Sequence, residues 1–182
     1  MIFGNPADIA FTYEVLARQQ DSHFVFGTFN IFIDDLLLIN GGSNWTIDCI
    51  VSTLKNTSIS LPSENFSGCK QELFEKAYVS RGYELHNATQ FPSEWWGSNE
   101  PLISQLIDIY LRITNANRTY PPFGTELCLY CELEDLNLRI FLFTTDDGDR
   151  IIYSKNHGKT VFEKLVLKGT VEKVIESLPN TV

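Results

Sequence analysis

Large apolar residues recur at every second position near the start of the chain, which is the pattern of a half-buried β-strand. They are Ile9, Phe11, Tyr13 and Val15, which alternate with Ala10, Thr12, Glu14 and Leu16. The run 24–33 is rich in aromatic and β-branched residues and predicts a second strand. Asp34 and Asp35 then form a predicted tight turn into a third strand over 36–39. The fold is therefore expected to begin with a sheet at its first residues.

The spacing changes to a helical one after the glycines at 41–42. One stripe recurs at i, i+3, i+4 and i+7 and consists of Ile47, Ile50, Val51 and Leu54. Ser43, Asn44 or Thr46 would cap this helix. A second helix is predicted over 70–80, ended by Gly82, and a third over 102–113.

The last third returns to strands, predicted over 126–132, 138–145, 150–154 and 160–167. The turn Asp146-Asp147-Gly148-Asp149 joins two of them as a hairpin, since Asp and Gly tolerate positive φ. Thr170 is expected to cap a short final helix. The order of elements predicts one α+β domain over 1–182: a mainly antiparallel sheet with three to four helices packed against one side.

Charge and composition narrow the classes of function. The 182 residues include 23 acidic and 14 basic side chains, a formal net charge of −9. This balance argues against nucleic-acid binding, which requires Lys and Arg against phosphates. It suits a basic partner, or serves solubility alone. The N-terminus lacks the pattern of a signal peptide and the apolar runs are short, so a cytoplasmic protein away from membranes is expected, its cysteines reduced.

Motifs for catalysis or metal binding are weak. Cys128 and Cys131 form a CxxC within a predicted strand, where the thiols would face opposite sides, and no second ligand pair stands near. His23, His86 and His157 belong to no recognisable catalytic motif. The aspartates around Gly148 have the wrong spacing for a calcium loop. The sequence therefore predicts no catalytic residues, no metal and no cofactor, and a protein that is not an enzyme.

Two groups of residues, one at each end of the chain, form a recognisable pattern. The N-terminal group consists of Gly4-Asn5-Pro6, Tyr13-Glu14-Val15 and Phe26-Gly27-x-Phe29-x-Ile31-x-Ile33, and the C-terminal group consists of 149–154, 161–163 and 167–175. Together they resemble the Immunity protein 42 family of bacterial polymorphic-toxin systems. Asp34-Asp35 departs from the family's Asn-Gly turn, and 56–117 matches nothing in it. The resemblance implies a cytosolic protein that binds and neutralises a cognate toxin domain.

Two hypotheses follow for the functional site. In the first, carboxylates steer a basic toxin and a tryptophan anchors it. The predicted steering residues are Glu132, Glu134, Asp135, Asp146, Asp147 and Asp149, and the predicted anchor is Trp95 or Trp96. In the alternative, the chain binds or hydrolyses a small molecule in the loop 84–100, using His86, Glu94 and Glu100. The sequence leaves open the toxin's activity, the contact face and the oligomeric state.

Overall fold

A computed structural model of the chain describes residues 1–19, 24–39, 45–57, 68–81, 123–127 and 137–182. These ranges contain two antiparallel sheets and three helices, so the predicted α+β class and the antiparallel pairing are confirmed. The strands are divided between two sheets instead of forming one.

The first sheet is built from the N-terminal hairpins. Its strands are β1 (Ile2–Asn5), β2 (Ile9–Arg18), β3 (Val25–Ile33), β4 (Leu36–Leu37) and β5 (Trp45–Thr46). The order is β1-β2-β3, and β4 and β5 both pair with β3, at opposite ends of it. The residues of β3 alternate between buried and half-buried throughout, as the sequence pattern predicts for a strand with one face in the core.

The second sheet is built from the C-terminal third of the chain. Its strands, in spatial order, are β6 (Thr125–Glu126), β7 (Arg139–Thr144), β8 (Asp149–Ser154) and β9 (Phe162–Val166). The observed β9 is shorter than the predicted strand 160–167. Of the predicted strand 126–132, residues 128–132 lie outside the described ranges.

The helices are α1 (Ile47–Asn56), α2 (Lys70–Ser80) and α3 (Thr170–Ser177). The first two match the predicted helices, while the predicted helix over 102–113 and Gly82 lie outside the described residues. Thr46 is the N-cap residue of α1, but its side chain makes no capping hydrogen bond. The predicted cap of α3 is wrong: Gly169, in the left-handed conformation at φ 76°, is its N-cap residue, and Thr170 is already helical.

Two apolar clusters hold these layers together. The larger one joins inward residues of both sheets to α1 and α3, for example Phe29, Ile140 and Val171. The smaller one covers the other face of the second sheet with α2, through Phe74 against Phe141. The second sheet is therefore covered on both faces, whereas the sequence predicts helices on one side of a single sheet.

A buried charge cluster joins α2 to the second sheet. The Glu126 carboxylate, fully buried, lies 3.0 Å from Arg81 Nε and 3.7 Å from Arg139 Nε. Arg81 also donates to the carbonyls of Phe123 and Gly124. Burying these charges is tolerable because Glu126 is paired with both arginines, and Arg81 is further hydrogen-bonded to the two backbone carbonyls.

Candidate functional site

Several of the predicted site residues lie outside the described residues. These are Trp95, Trp96, Glu132, Glu134 and Asp135, and the same holds for Cys128, Cys131, His23 and for the loop 84–100 with His86, Glu94 and Glu100. The structure describes the remaining predicted steering residues, Asp146, Asp147 and Asp149.

Asp146 and Asp147 lie at the exposed tip of the β7–β8 hairpin. The tip is closed by the Thr145 N–H, which donates to the Gly148 carbonyl at 2.8 Å. Lys168, two residues beyond β9, places its Nζ 3.8 Å from Asp146 Oδ1, and both side chains are largely exposed. Such a pair contributes little to stability, so the turn remains an anionic surface feature.

Asp149 has a different environment, although it belongs to the same acidic run. It is 1% exposed. One of its oxygens accepts from the Thr144 hydroxyl at 2.8 Å, and the other accepts from the Gly169 N–H at 2.9 Å. Asp149 thus joins the hairpin to the beginning of α3, where a negative charge is also favoured by the helix dipole. It does not lie on the surface on which a steering charge must act.

A second acidic turn was not singled out as a site from the sequence. Asp34 and Asp35, between β3 and β4, are exposed and have φ of 56° and 59°. The Asp35 N–H donates to the Pro6 carbonyl at 2.8 Å. Because Ile9 pairs with Ile33, the β1–β2 turn carrying Asp8 lies beside Asp34. The signal for the turn was present in the sequence, but the grouping of three carboxylates depends on the strand register.

Lys164 of β9 connects this second turn to the second sheet. Its Nζ donates to Asp34 Oδ1 at 2.6 Å. That hydrogen bond is the main cause that raises the pKa of the Lys164 amine; the charges of Asp34, Asp8 and Asp35 raise it further, against a smaller opposing effect of burial. The pKa of the neighbouring Tyr153 phenol is also raised, first by burial and then by the Asp34 carboxylate.

Two of the three apolar residues of β9, and Leu167 just beyond it, face solvent, whereas Val166 is buried. Leu165 is 66% exposed, Leu167 82% and Phe162 41%. The two charged residues of the strand are engaged with the protein instead: Lys164 with Asp34, and Glu163 with Arg150 at 2.6 Å. We call this region the β9 surface: residues 162–167 together with the turns Asp34–Asp35 and Asp146–Asp147, which reach it through Lys164 and Lys168.

Other chemistry-bearing groups in the described ranges serve the fold. The Tyr78 hydroxyl lies 3.0 Å from His157 Nδ1, between α2 and the turn before β9. Cys49 lies on α1 and Cys69 precedes α2, and the two are not joined in a disulfide. No group of three His, Cys, Asp or Glu side chains is arranged as metal ligands among the residues that the structure describes.

A cavity of about 560 Å³ opens at the end of the β2–β3 hairpin, next to α1 and the last residues of the chain. Its two charged lining residues bond to the protein itself. Arg18 donates to the Val182 carbonyl at 3.0 Å, and Asp48 Oδ1 accepts from the Val25 N–H at 2.9 Å. These bonds hold the C-terminal residues and α1 against the hairpin, so neither charge is directed at a ligand.

None of the helices within the described ranges is both long enough and apolar enough to cross a bilayer. The described part of the chain presents the exposed residues Phe162, Leu165 and Leu167 near two acidic turns.

Comparison with known proteins found similarities in sequence and in fold. The chain is 26% identical over 168 residues to an uncharacterized protein of Pasteurella multocida (strain Pm70), covering 88% of this chain and 87% of that protein. Its fold is similar to the crystal structure of CdiI from Burkholderia dolosa AUO158, with a TM-score of 0.59 and 18% identity over 97% of this chain and 96% of the other. This second likeness concerns the fold alone.

The model of the Immunity protein 42 family matches residues 1–181. This match confirms the resemblance seen at the two ends and extends it across the middle, where the sequence alone gave no similarity. The chain therefore belongs to the Immunity protein 42 family and is an immunity protein, whose function is to neutralise a toxin.

Proposed function

We propose that this immunity protein acts by occlusion: it binds a cognate toxin domain through the β9 surface and turns over no substrate. The observation that carries the proposal is the arrangement of β9, in which Phe162 and Leu165 are exposed while both charged side chains are paired with the protein. Exposed apolar groups rimmed by polar ones are typical of protein–protein contact sites. We further propose that the protein works in the cytoplasm of the cell that produces the toxin.

Charge would set the rate of encounter. The net charge of −9 and the exposed turns Asp34–Asp35 and Asp146–Asp147 favour a toxin with a basic surface. Complementary potentials raise association rates and make them dependent on salt. Glu132, Glu134 and Asp135 stay in the proposed steering set, whereas Asp149 is removed from it because its carboxylate is buried.

Apolar contact would set the lifetime of the complex. Interfaces are held by a few well-packed side chains, and most differences in affinity appear in the dissociation rate. Among the described residues Leu165, Leu167 and Phe162 are suited to this role. Trp95 and Trp96 remain proposed anchors.

The steering part is tested with the cognate toxin domain, taken as the purified toxin domain whose activity this protein abolishes. Reversing four charges, in D34K/D35K/D146K/D147K, is expected to slow association at least tenfold at low salt and to flatten its salt dependence. The measurement is stopped-flow association across a range of ionic strengths.

The matched control is E14K/E176K, which reverses exposed carboxylates elsewhere on the molecule. Glu14 lies five positions along β2 from Ile9, the residue paired beside the Asp34 turn, or about 17 Å away. The control variant should slow association clearly less than the four-residue variant does, also when the effect is divided by the number of charges reversed. Equal association rates for the wild type and the four-residue variant would remove these turns from the proposal.

A further inference from the structure

We propose that the toxin binds by adding a β-strand to the free edge of β9, extending the second sheet. This inference rests on the proposed function and specifies how the partner is held. The partner is a basic domain that presents an edge strand of its own, with apolar side chains at alternate positions.

The topology leaves β9 at the end of the second sheet. The spatial order is β6-β7-β8-β9, and β9 pairs with β8 from Phe162 to Val166. In an antiparallel pair, every second residue directs its N–H and C=O towards the neighbouring strand, and the residues between direct theirs outwards. Among the described strands none pairs with the outer side of β9. Outward groups of this kind at a sheet edge form a template on which another strand can pair.

The side chains of β9 lack the usual protection of an edge strand. Natural sheets discourage edge pairing with outward charges, especially lysine. Here the lysine is drawn to Asp34 and the glutamate to Arg150, at 2.6 Å each. The groups left in solvent are apolar, which favours pairing instead of opposing it.

An added strand would contact exposed apolar side chains of β9 on both faces of the sheet. Leu165 pairs opposite Arg150, on the face of the sheet that α2 covers, because the Arg150 guanidinium reaches the Gly68 carbonyl just before α2. Phe162 lies on the opposite face, stacked on Tyr153 with ring centroids 5.3 Å apart. Main-chain hydrogen bonds would supply affinity, and these two faces would read alternate side chains of the partner.

Charge distinguishes a toxin strand from a second copy of this chain. If two copies of this chain paired their β9 strands antiparallel around Lys164, the Asp34 turns of both copies would lie near the same two-fold axis. Each copy also carries a formal net charge of −9. Like charges brought together across a pair of strands are destabilising. A basic partner meets the same turns with complementary charge.

Hydrogen exchange on the free protein and on its 1:1 complex with the cognate toxin domain tests the inference. The β9 amides that exchange quickly in the free protein are expected to slow at least a hundredfold in the complex. If the complex forms but these amides keep their rates, strand addition is wrong while the proposed function stands. If the protein neither binds nor inhibits the toxin, the proposed function itself fails.

A pair of substitutions gives an independent readout. Leu165→Asp is expected to weaken toxin binding roughly 30-fold, as loss of a hot-spot side chain does, with thermal unfolding nearly unchanged. The control is Leu16→Asp on β2, since Leu16 is 55% exposed on the other sheet; its affinity should stay within about twofold. Equal effects of the two variants would contradict the inference. So would a free protein that sediments as a dimer and becomes a monomer on Leu165→Asp.

Discussion

Two strands of the same sheet, β7 and β9, use similar apolar residues in opposite ways. All six residues of β7, Arg139–Thr144, are buried. In β9 the apolar residues Phe162 and Leu165 are exposed, and only Val166 is buried. β7 lies between two neighbouring strands and is covered on both faces, by the larger cluster on one side and by α2 on the other. Among the described strands β9 pairs with β8 alone, and its residues Phe162 and Leu165 remain exposed, which is the basis for proposing it as the contact with the toxin.

The same contrast separates the carboxylates of the second sheet. Glu126 and Asp149 are buried and hydrogen-bonded or ion-paired, while Asp146 and Asp147 are exposed at the hairpin tip. Residues of one chemical type therefore divide into a structural set and a surface set. The division follows their position in the sheet, not the residue type.

The largest expected effect tests the contrast between the two strands directly. Phe141→Ala removes a fully buried ring that packs against Phe74, and is expected to lower the free energy of unfolding by about 3–5 kcal/mol. Leu165→Ala should change it by less than about 0.5 kcal/mol, because most of that side chain is already in water. Urea denaturation measures both. Comparable losses would show that β9 is packed as β7 is.

A smaller effect is expected from the two kinds of aspartate in one turn. Asp149→Ala leaves the Thr144 hydroxyl and the Gly169 N–H without their acceptor and is expected to cost about 2 kcal/mol. Asp147→Ala, two residues away on the exposed tip, should stay within about 0.5 kcal/mol. Thermal unfolding of the matched pair at neutral pH decides the point. A destabilised Asp147→Ala would mean that the tip is also structural.

The smallest effect is the pH dependence of stability that the ion pair of Lys164 with Asp34 causes, and it is measured in alkaline solution. The folded pKa of Lys164 is raised above its unfolded value, so its contribution is complete below about pH 10.5 and is lost as pH rises through the folded pKa. The raised pKa of Tyr153 acts in the same direction, since the unfolded state ionises first. In Lys164→Met the free energy of unfolding should therefore decrease less steeply above about pH 10.5 than in the wild type. The decrease that remains is the contribution of Tyr153. Parallel stability curves for the wild type and Lys164→Met would contradict this origin.

Local pattern was sufficient to predict much of the fold. The stripe Ile47–Leu54 predicted α1, alternation predicted β2, β-branched and aromatic residues predicted β3, and the Asp-Gly turn predicted the β7–β8 hairpin. These features depend on neighbours within a few residues. The division into two sheets depends on which edges meet after collapse, and strand patterns carry no information about that.

The site was harder to predict for the same reason. Asp149 looks like its neighbours in the sequence, and only the position of Gly169 beside it reveals a buried acceptor. The grouping of Asp8 and Asp34 follows from the register of β2 on β3, and their contact with Lys164 joins two sheets from opposite ends of the chain. Thr170 is a residue type that often occupies the N-cap position, but the N-cap residue of α3 is Gly169, which is in the left-handed conformation and lies beside Asp149.

The central claim is that this protein neutralises its toxin by staying bound to it. A titration of a fixed amount of active toxin domain with this protein, well above the dissociation constant, measures this directly. The account predicts that toxin activity falls linearly to zero at one molecule of protein per toxin, and that intact, active toxin is recovered when the complex is separated. Loss of all activity at a small fraction of that ratio, with toxin that stays inactive after separation, would contradict it.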